Sequence, residues 1–189
     1  KRAETTIDNS LFDGNGAGGQ AHQIYISGTD TKLVIRGSTF RNTTGDGHVI
    51  KTGAHTNVLE NTRILSAATP YRRAIDAFAG GVLLLSDVRI EHGPDANSDI
   101  IGFGAEAKRR RNPVKNQVLF SNVTVKCLRR NGCQLIQTWL PEPISTSGVS
   151  VTGENSPARI PASRLSAAKD AGLKRLGYSS SKTSVGVHS

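Results

Sequence analysis

Short apolar tracts recur along the chain at a nearly constant interval. Four of them, spaced by 26, 25 and 26 residues, are centred on Ile24, Ile50, Ile75 and Ile101. A second series, with gaps of 24, 26, 35 and 26 residues, ends at Phe40, Ile64, Ile90, Val125 and Val151. Phe12, 28 residues before Phe40, would be the first member of this second series. Two offset series with one period predict a solenoid whose turns each contribute at least two strands.

The composition of the repeat indicates the kind of solenoid. Its segments are short, apolar and rich in β-branched residues, and Gly, Asn, Ser, Thr and Asp separate them. No stretch before about residue 162 holds apolar positions at helical spacing over three turns, and a period near 25 residues is too short for a propeller blade. We therefore predict an all-β fold, a parallel β-helix (β-solenoid) of about six to seven coils.

The strand pattern ends at Val151-Thr152-Gly153. This boundary divides the chain into a β-helix over 1–153 and a C-terminal cap over 154–189. Within the cap, alanines and spaced leucines predict a short helix over 163–176, with Ser163 as its N-cap. The Ser-rich tail over 179–189 is predicted to be mobile unless it docks.

Composition bounds the fold further. With 189 residues the chain forms one domain, and with 5% aromatic residues and no methionine its core must be an aliphatic stack. No apolar run reaches the roughly 18 residues that a transmembrane helix needs, so no membrane span is predicted. Because the chain opens with Lys1-Arg2 and enters a strand-like tract almost at once, we expect a mature or truncated piece.

The chain carries 24 Lys and Arg against 15 Asp and Glu, a net charge of +9. This excess predicts an anionic partner. An acidic polysaccharide fits better than nucleic acid, because no aromatic residues interleave with the basic ones to stack bases. The densest basic run lies where the period stretches to 35 residues, which places it on an inserted loop: Lys108, Arg109, Arg110 and Arg111. Polyanion binding and simple solvation both account for this run.

Cys127 and Cys133 are the only cysteines, and Asn131-Gly132 between them is a turn signal. The flanking strands would bring the two sulfurs together, so a disulfide and a pair of buried free thiols both fit the spacing. A disulfide would suit an extracellular, cell-surface or periplasmic protein. Two cysteines without neighbouring histidines do not complete a structural zinc site.

The succession of tracts resembles a known family. Three similar tracts follow one another over 19–26, 47–52 and 100–107, the middle one being Gly47-His48-Val49-Ile50-Lys51-Thr52. Two shorter tracts lie between them, Arg36-Gly37-Ser38 and Glu91-His92-Gly93-Pro94. Over roughly residues 4–153 the chain resembles bacterial secreted proteins of the right-handed parallel β-helix, pectate-lyase-like superfamily. The resemblance implies a right-handed coil. The superfamily includes lyases, hydrolases and epimerases of uronic-acid polymers as well as phage tailspikes and adhesins.

A shorter likeness concerns Lys51-Thr52 and the tract over 57–62, which look like the Lys-Ser and Asn-Thr tracts of alginate and chondroitin lyases. Strand side chains alternate, so inward isoleucines leave Tyr25, Lys51 and Asp76 facing outward on adjacent rungs, a rung being one strand of the stack. The residues predicted to flank this row are His22, His48, Arg72 and Arg73.

These residue types match the needs of a uronan lyase, which abstracts the proton α to a carboxylate, protonates the leaving oxygen and neutralises the carboxylate charge. We predict Lys51 as the base, Arg73 or Tyr25 as the neutralising or proton-donating group, and His48 and Asp76 as further catalytic residues. His22 and Arg72 are predicted to bind substrate. The alternative is an outward polar ladder in which Lys51 pairs with Asp76.

No metal site or cofactor is predicted. Lyases of this fold that use Ca²⁺ carry clustered carboxylates, whereas Asp87, Glu91, Asp95 and Asp99 are scattered along the sequence. We therefore expect a secreted or surface β-helix that engages an acidic polysaccharide, with lyase or epimerase activity undecided. The rival is a non-catalytic solenoid that acts as a carbohydrate-binding, adhesin, tailspike or scaffold module and that self-assembles through its ends.

Overall fold

The computed structural model describes residues 3–16, 20–65, 70–110, 112–141, 144–153 and 165–167. Over these residues the chain forms fifteen strands: β1 Ala3–Asp8, β2 Leu11–Asp13, β3 Ile24–Ile26, β4 Thr31–Arg36, β5 Thr39–Arg41, β6 Ile50–Thr52, β7 Thr56–Glu60, β8 Arg63–Leu65, β9 Ile75–Ala77, β10 Val82–His92, β11 Asp99–Phe103, β12 Gln117–Cys127, β13 Gln134–Thr138, β14 Ile144–Gly153 and β15 Leu165–Ala167. All of their pairings are parallel, and they stack as a β-solenoid of about five turns.

Two sheets run along the solenoid. One has ten strands, and the other has five in the order β13-β11-β9-β6-β3. The register of the five-stranded sheet aligns Ile24, Ile50, Ile75, Ile101 and Ile136, and that of the ten-stranded sheet aligns Phe12, Phe40, Ile64, Ile90, Val125 and Val151. Both predicted ladders are therefore confirmed, and Ile136 adds a rung that the sequence analysis missed.

The number of turns is smaller than the six to seven that we predicted. Ile101 and Ile136 lie on neighbouring rungs, yet 35 residues separate them. The stretched turn holds an excursion between β11 and β12, and the described residues of this excursion, 104–110 and 112–116, add no strand to either sheet. The predicted basic loop lies on this excursion.

The core fills the space between the sheets and is mainly aliphatic, but it also holds aromatic side chains that the prediction of an aliphatic stack did not include, among them Phe40, Tyr71 and Phe103. Ile50, Ile75 and Ile101 have no exposed surface, and Phe12 stacks on Phe40 with ring centroids 4.8 Å apart. The ten-stranded sheet is also apolar on its other face, where a separate buried cluster comprises Val34, Val58, Leu84 and Leu119. Burial on both faces explains why β4, β7 and the first parts of β10 and β12 read as continuous apolar runs, whereas the later parts of β10 and β12 alternate.

The ten-stranded sheet bends at the same position in successive turns. The residues that follow Asp8 and its register partners all have φ between +45° and +61°: Asn9, Gly37, Asn61, Asp87, Asn122 and Gly148. Only glycine, asparagine and aspartate adopt this left-handed conformation readily. Each bend therefore depends on a residue type that tolerates positive φ, and the stacked bends change the direction of the chain within the ten-stranded sheet.

The predicted cap falls largely outside the described residues. Its described part, Leu165–Ala167, is strand β15, which pairs with β14 and extends the ten-stranded sheet, so these three residues are not helical. Among the described residues, no helix has the length and apolar character to cross a membrane.

Candidate functional site

The outer face of the five-stranded sheet carries a row of aligned positions, one on each strand. Strand register aligns Tyr25, Lys51, Asp76, Gly102 and Gln137, which we call the outer row. Neighbouring strands lie about 4.8 Å apart, so the row extends along the solenoid axis. Each member follows an isoleucine of the buried ladder, which is why its side-chain direction is outward.

Lys51 contacts a carboxylate that the register did not predict. Its Nζ lies 4.0 Å from Oε1 of Glu106, and no ion pair joins it to Asp76, its neighbour on the next rung. The same Nζ lies 5.3 Å from the ring centroid of Phe78 and 5.8 Å from that of Tyr25. These are the contacts of a charged ammonium. The Lys51–Asp76 pair that was the alternative to a catalytic Lys51 is thus replaced by a pair with Glu106, beside two aromatic rings.

Asp76 points outward yet is only 4% exposed. Its Oδ2 lies 3.3 Å from Nε2 of His48, and its Oδ1 lies 3.6 Å from Nη1 of Arg73. Burial raises the pKa of Asp76, while the positive charges of Arg73 and Lys51 act in the opposite direction. Gly102 on the next rung leaves the space that these groups occupy, because a Cβ there would lie 2.5 Å from Oδ1 of Asp76.

His22 and His48 stack at the edge of the outer row, with ring centroids 5.3 Å apart. The backbone N–H of His48 donates to Nδ1 of His22 over 2.8 Å. Burial, reinforced by Arg73 and other positive charges, lowers the pKa of His48 to about 3. The pKa of His22 is also lowered, chiefly by burial and then by Lys51. Both rings are therefore uncharged at neutral pH, and the contact of His48 with Asp76 joins an uncharged imidazole to a carboxyl group.

Both ring nitrogens of His48 lie away from solvent. Its Nε2 faces Asp76, and its Nδ1 is buried without a hydrogen-bond partner among the described residues. A general base must come within hydrogen-bonding reach of the proton it removes. The ring packs beside Asp76, and the catalytic role that the sequence predicts for His48 stays a prediction.

Arg73 crosses the outer face above Gly102. Its Nε contacts Oδ2 of Asp99, and its guanidinium carbon lies 5.3 Å from the ring centroid of Trp139. Together with the contact to Asp76, Arg73 has two carboxylate neighbours. Arg72 is more exposed and lies 3.3 Å from Asp46.

The excursion between β11 and β12 folds back over the outer face as a strap, residues 104–110. The backbone N–H of Glu106 donates to the carbonyl of Phe78 over 2.7 Å. Farther along, Nη1 of Arg110 donates to the carbonyl of Ser27 over 3.2 Å, and Nε of Arg110 lies 3.4 Å from Oε2 of Glu106. The strap thus crosses from the β11 rung back to the β3 rung.

Only part of the predicted basic tetrad takes part in the strap contacts. Arg110 turns onto the face, where its guanidinium carbon lies 5.2 Å from the ring centroid of Phe78. Lys108 and Arg109 are exposed, and Arg111 lies outside the described residues. Glu106 and Phe78 were missed by the sequence analysis, since neither lies at a position that recurs with the period.

Two exposed aromatic residues mark opposite ends of the five-stranded sheet. Tyr25 on β3 is 52% exposed, and Trp139, directly after β13, is 46% exposed. Four strand spacings separate the first and last rungs, which corresponds to about 19 Å along the axis. Trp139 was also missed, although it is the only tryptophan in the chain.

Cys127 and Cys133 form a disulfide with a Cα–Cα distance of 6.0 Å. Cys127 ends β12, and Cys133 immediately precedes β13. The bridge therefore links the two sheets across the Arg129–Gly132 turn, in which Gly132 has a φ of +76°. The described residues contain no group of three or more His, Cys, Asp or Glu side chains arranged to hold a metal ion.

Comparison with family models, with curated proteins and with solved structures finds no match for this chain. The parallel β-solenoid is consistent with the parallel β-helix fold that the resemblance implied, and membership of the pectate-lyase-like superfamily stays a prediction.

Proposed function

We propose that this β-solenoid binds an acidic polysaccharide along the outer face of its five-stranded sheet. The observation that carries the proposal is the exposure of Tyr25 and Trp139 at opposite ends of a face that also holds Lys51, Arg73 and Arg110. Aromatic rings offer flat apolar surfaces against which the C–H faces of sugars pack. Ammonium and guanidinium groups form charge-assisted hydrogen bonds with carboxylates.

An extended, acidic ligand suits this face better than a compact, neutral one. The two aromatic ends are about 19 Å apart, which exceeds the size of a single sugar ring. The net charge of +9, with exposed Lys108 and Arg109 beside the outer row, attracts a polyanion. The Cys127–Cys133 disulfide supports an extracellular, cell-surface or periplasmic location, because disulfides persist in oxidising compartments.

Retention on immobilised alginate, pectate, hyaluronan and chondroitin, with neutral dextran as the comparison, tests the proposal. Tyr25→Ala and Trp139→Ala should each weaken binding about 5-fold, equivalent to about 1 kcal/mol of stacking. Leu11→Ala is the matched control, because Leu11 is 59% exposed but lies on the ten-stranded sheet. Two results would show that the face does not bind acidic sugars. One is that Tyr25→Ala and Trp139→Ala are retained as strongly as Leu11→Ala; the other is that the wild type is retained on dextran as strongly as on the acidic polysaccharides.

A uronan lyase is the second candidate, favoured by the convergence of Tyr25, Lys51 and Asp76 on adjacent rungs with Arg73 beside them. Removal of the α proton forms a carbon–carbon double bond and breaks the bond to the leaving oxygen, which takes up a proton. Of the predicted groups, Tyr25 and Lys51 are the ones accessible for these proton transfers. His48 contacts Asp76, and Arg73 contacts Asp76 and Asp99, so in this proposal the two side chains position the face and transfer no proton.

Absorbance of the unsaturated product separates the two candidates. A lyase should produce it from one of the four polymers, and Lys51→Ala should slow turnover by about 10² to 10⁴ while leaving folding intact. The same substitution costs less than about 1 kcal/mol of stability if Lys51 only pairs with an exposed carboxylate. Binding without any product from the wild-type protein would exclude the lyase and retain the binding module.

A further inference from the structure

One carboxylate on the outer face bridges two cations. Oε1 of Glu106 lies 4.0 Å from Nζ of Lys51, and Oε2 of the same side chain lies 3.4 Å from Nε of Arg110. The ammonium and the guanidinium both lie over the ring of Phe78, at 5.3 Å and 5.2 Å from its centroid. These four side chains form a compact cluster beside Tyr25, whose ring centroid is 6.2 Å from that of Phe78.

The cluster has more positive than negative charge. Lys51 and Arg110 contribute two cations, whereas Glu106 contributes one carboxylate. The other cations of the face are better matched, since Arg73 contacts Asp76 and Asp99. The position between Lys51 and Arg110 is therefore where a ligand carboxylate is most favoured electrostatically.

Glu106 can leave this position without unfolding the strap. Its side chain is 39% exposed and that of Arg110 is 41% exposed, and ion pairs at such exposure contribute little to stability. Its backbone is held independently, because its N–H donates to Phe78 and its carbonyl accepts from the N–H groups of Arg109 and Arg110. Rotation of the side chain alone would free both cations.

We propose that Lys51 and Arg110 form a subsite for one uronate carboxylate, and that Glu106 occupies this subsite until the ligand carboxylate displaces it. This inference rests on the proposed function and adds the chemistry of one contact to it. The sugar ring would pack on the exposed face of Tyr25 while its carboxylate takes the place of the Glu106 carboxylate. Glu106 is then a competitor that lowers affinity and favours ligands carrying a carboxylate at this point.

Calorimetric titration with short oligomers of pectate and alginate, at about 0.15 M salt, tests the subsite. Glu106→Gln should bind the oligomer between about 1.5-fold and 5-fold more tightly than the wild type, the gain that corresponds to an exposed ion pair of about 0.2 to 1 kcal/mol. Glu4→Gln is the matched control. Glu4 pairs with Lys32 over 3.3 Å on the ten-stranded sheet, and its substitution changes the net charge by the same amount.

The control should leave affinity unchanged, because screening over about 8 Å removes the effect of a charge on another sheet. In a Lys51→Ala background, the gain from Glu106→Gln should shrink, since one of the two cations that Glu106 occupies is gone. Binding by the wild type with no gain in Glu106→Gln, or with equal gains in both glutamine variants, would overturn the subsite and leave the proposed function standing. No binding by the wild type or by Glu106→Gln would overturn both.

Discussion

His92 is a fully buried histidine whose two ring nitrogens both have partners. Its Nδ1 lies 3.0 Å from the hydroxyl of Tyr71, and its Nε2 lies 2.7 Å from the carbonyl of Asn97. The carbonyl can only accept, so Nε2 carries the proton and Nδ1 accepts from the tyrosine hydroxyl. Burial lowers the pKa of His92 to about 4 and raises that of Tyr71. The pair therefore remains uncharged across the physiological range.

This arrangement predicts acid sensitivity. The pKa of His92 is about 4 in the folded protein, below the ordinary histidine value of 6.5 that applies to the unfolded chain, so the unfolded chain binds the proton more readily between these values. The free energy of unfolding that comes from keeping His92 uncharged is fully present above about pH 6.5. It is lost as pH falls toward 4, and the total loss is on the order of 3 kcal/mol. Denaturant titrations from pH 7 to about 4, alongside NMR titration of the His92 ring, measure it. A His92 ring that titrates near pH 6.5 in the folded protein would contradict this account.

At the scale of single residues, register predicted positions better than partners. Alternation from Ile50 correctly directs Lys51 outward, but the partner of Lys51 comes from the strap. Glu106 has no counterpart in other turns, so no periodic signal marks it. The burial of Asp76 likewise depends on the absence of a side chain at Gly102 and on Arg73 folding across it. Such contacts arise from the packing of side chains between rungs, which periodicity does not encode.

At the scale of secondary structure, the residue that follows each bend differs between turns in which the strand stops at the bend and turns in which it continues. In early turns a Ser or Thr follows the positive-φ residue, and its hydroxyl donates to the carbonyl two residues earlier, as Ser38 does to Arg36 and Thr62 does to Glu60. In later turns Val88 and Val123 stand at the same position, and β10 and β12 continue through it as strands of 11 residues. The recurrence of Asn and Gly one residue after the strands is a signal that sequence analysis can use to place these bends.

Substitution at Asn61 tests the bend. Asn61 has a φ of +45°, which costs an ordinary L-residue about 1 to 2 kcal/mol. Asn61→Ala should therefore lower the free energy of unfolding by about 1 kcal/mol relative to Asn61→Gly, because glycine adopts positive φ without strain. Denaturation midpoints of the two variants provide the comparison, with glycine as the control for loss of the side chain. Equal destabilisation would attribute the role of Asn61 to its side-chain contacts instead.

At the scale of the whole molecule, stability comes from one continuous core. Each isoleucine of the inner ladder packs against its neighbours above and below, so the turns fold together rather than as independent units. The spacing of apolar tracts predicted this core because each turn of a solenoid repeats the same arrangement of strands and inward-facing side chains. The stretched turn was visible as a gap of 35 residues, but its path over the outer face was not, since it obeys no repeat.

Ile50 tests the ladder. It has no exposed surface and lies between Ile24 and Ile75, so Ile50→Asp would bury an uncompensated charge and should prevent folding. Ile50→Val removes one methylene group and should cost about 1 kcal/mol. Thr124→Asp is the control, since it introduces the same side chain at an exposed strand position. Circular dichroism and melting temperature separate the variants. A soluble Ile50→Asp protein with an unchanged melting temperature would show that the opposite face is inside.

The net charge of +9 should make the affinity of the whole molecule for a polyanion depend on salt. Lys51, Arg110, Lys108 and Arg109 lie on or beside the outer face, and neutralising a charged polymer with such groups releases its bound counterions. Affinity for pectate or alginate should therefore fall on the order of tenfold between about 0.05 M and 0.2 M salt, a range over which the screening length shortens to below about 10 Å. Lys108→Gln with Arg109→Gln should flatten this dependence, while Leu11→Ala should preserve it. Retention that is insensitive to salt, or absent at low salt, would show that a polyanion is not the partner of this face. Neither result would bear on the fold.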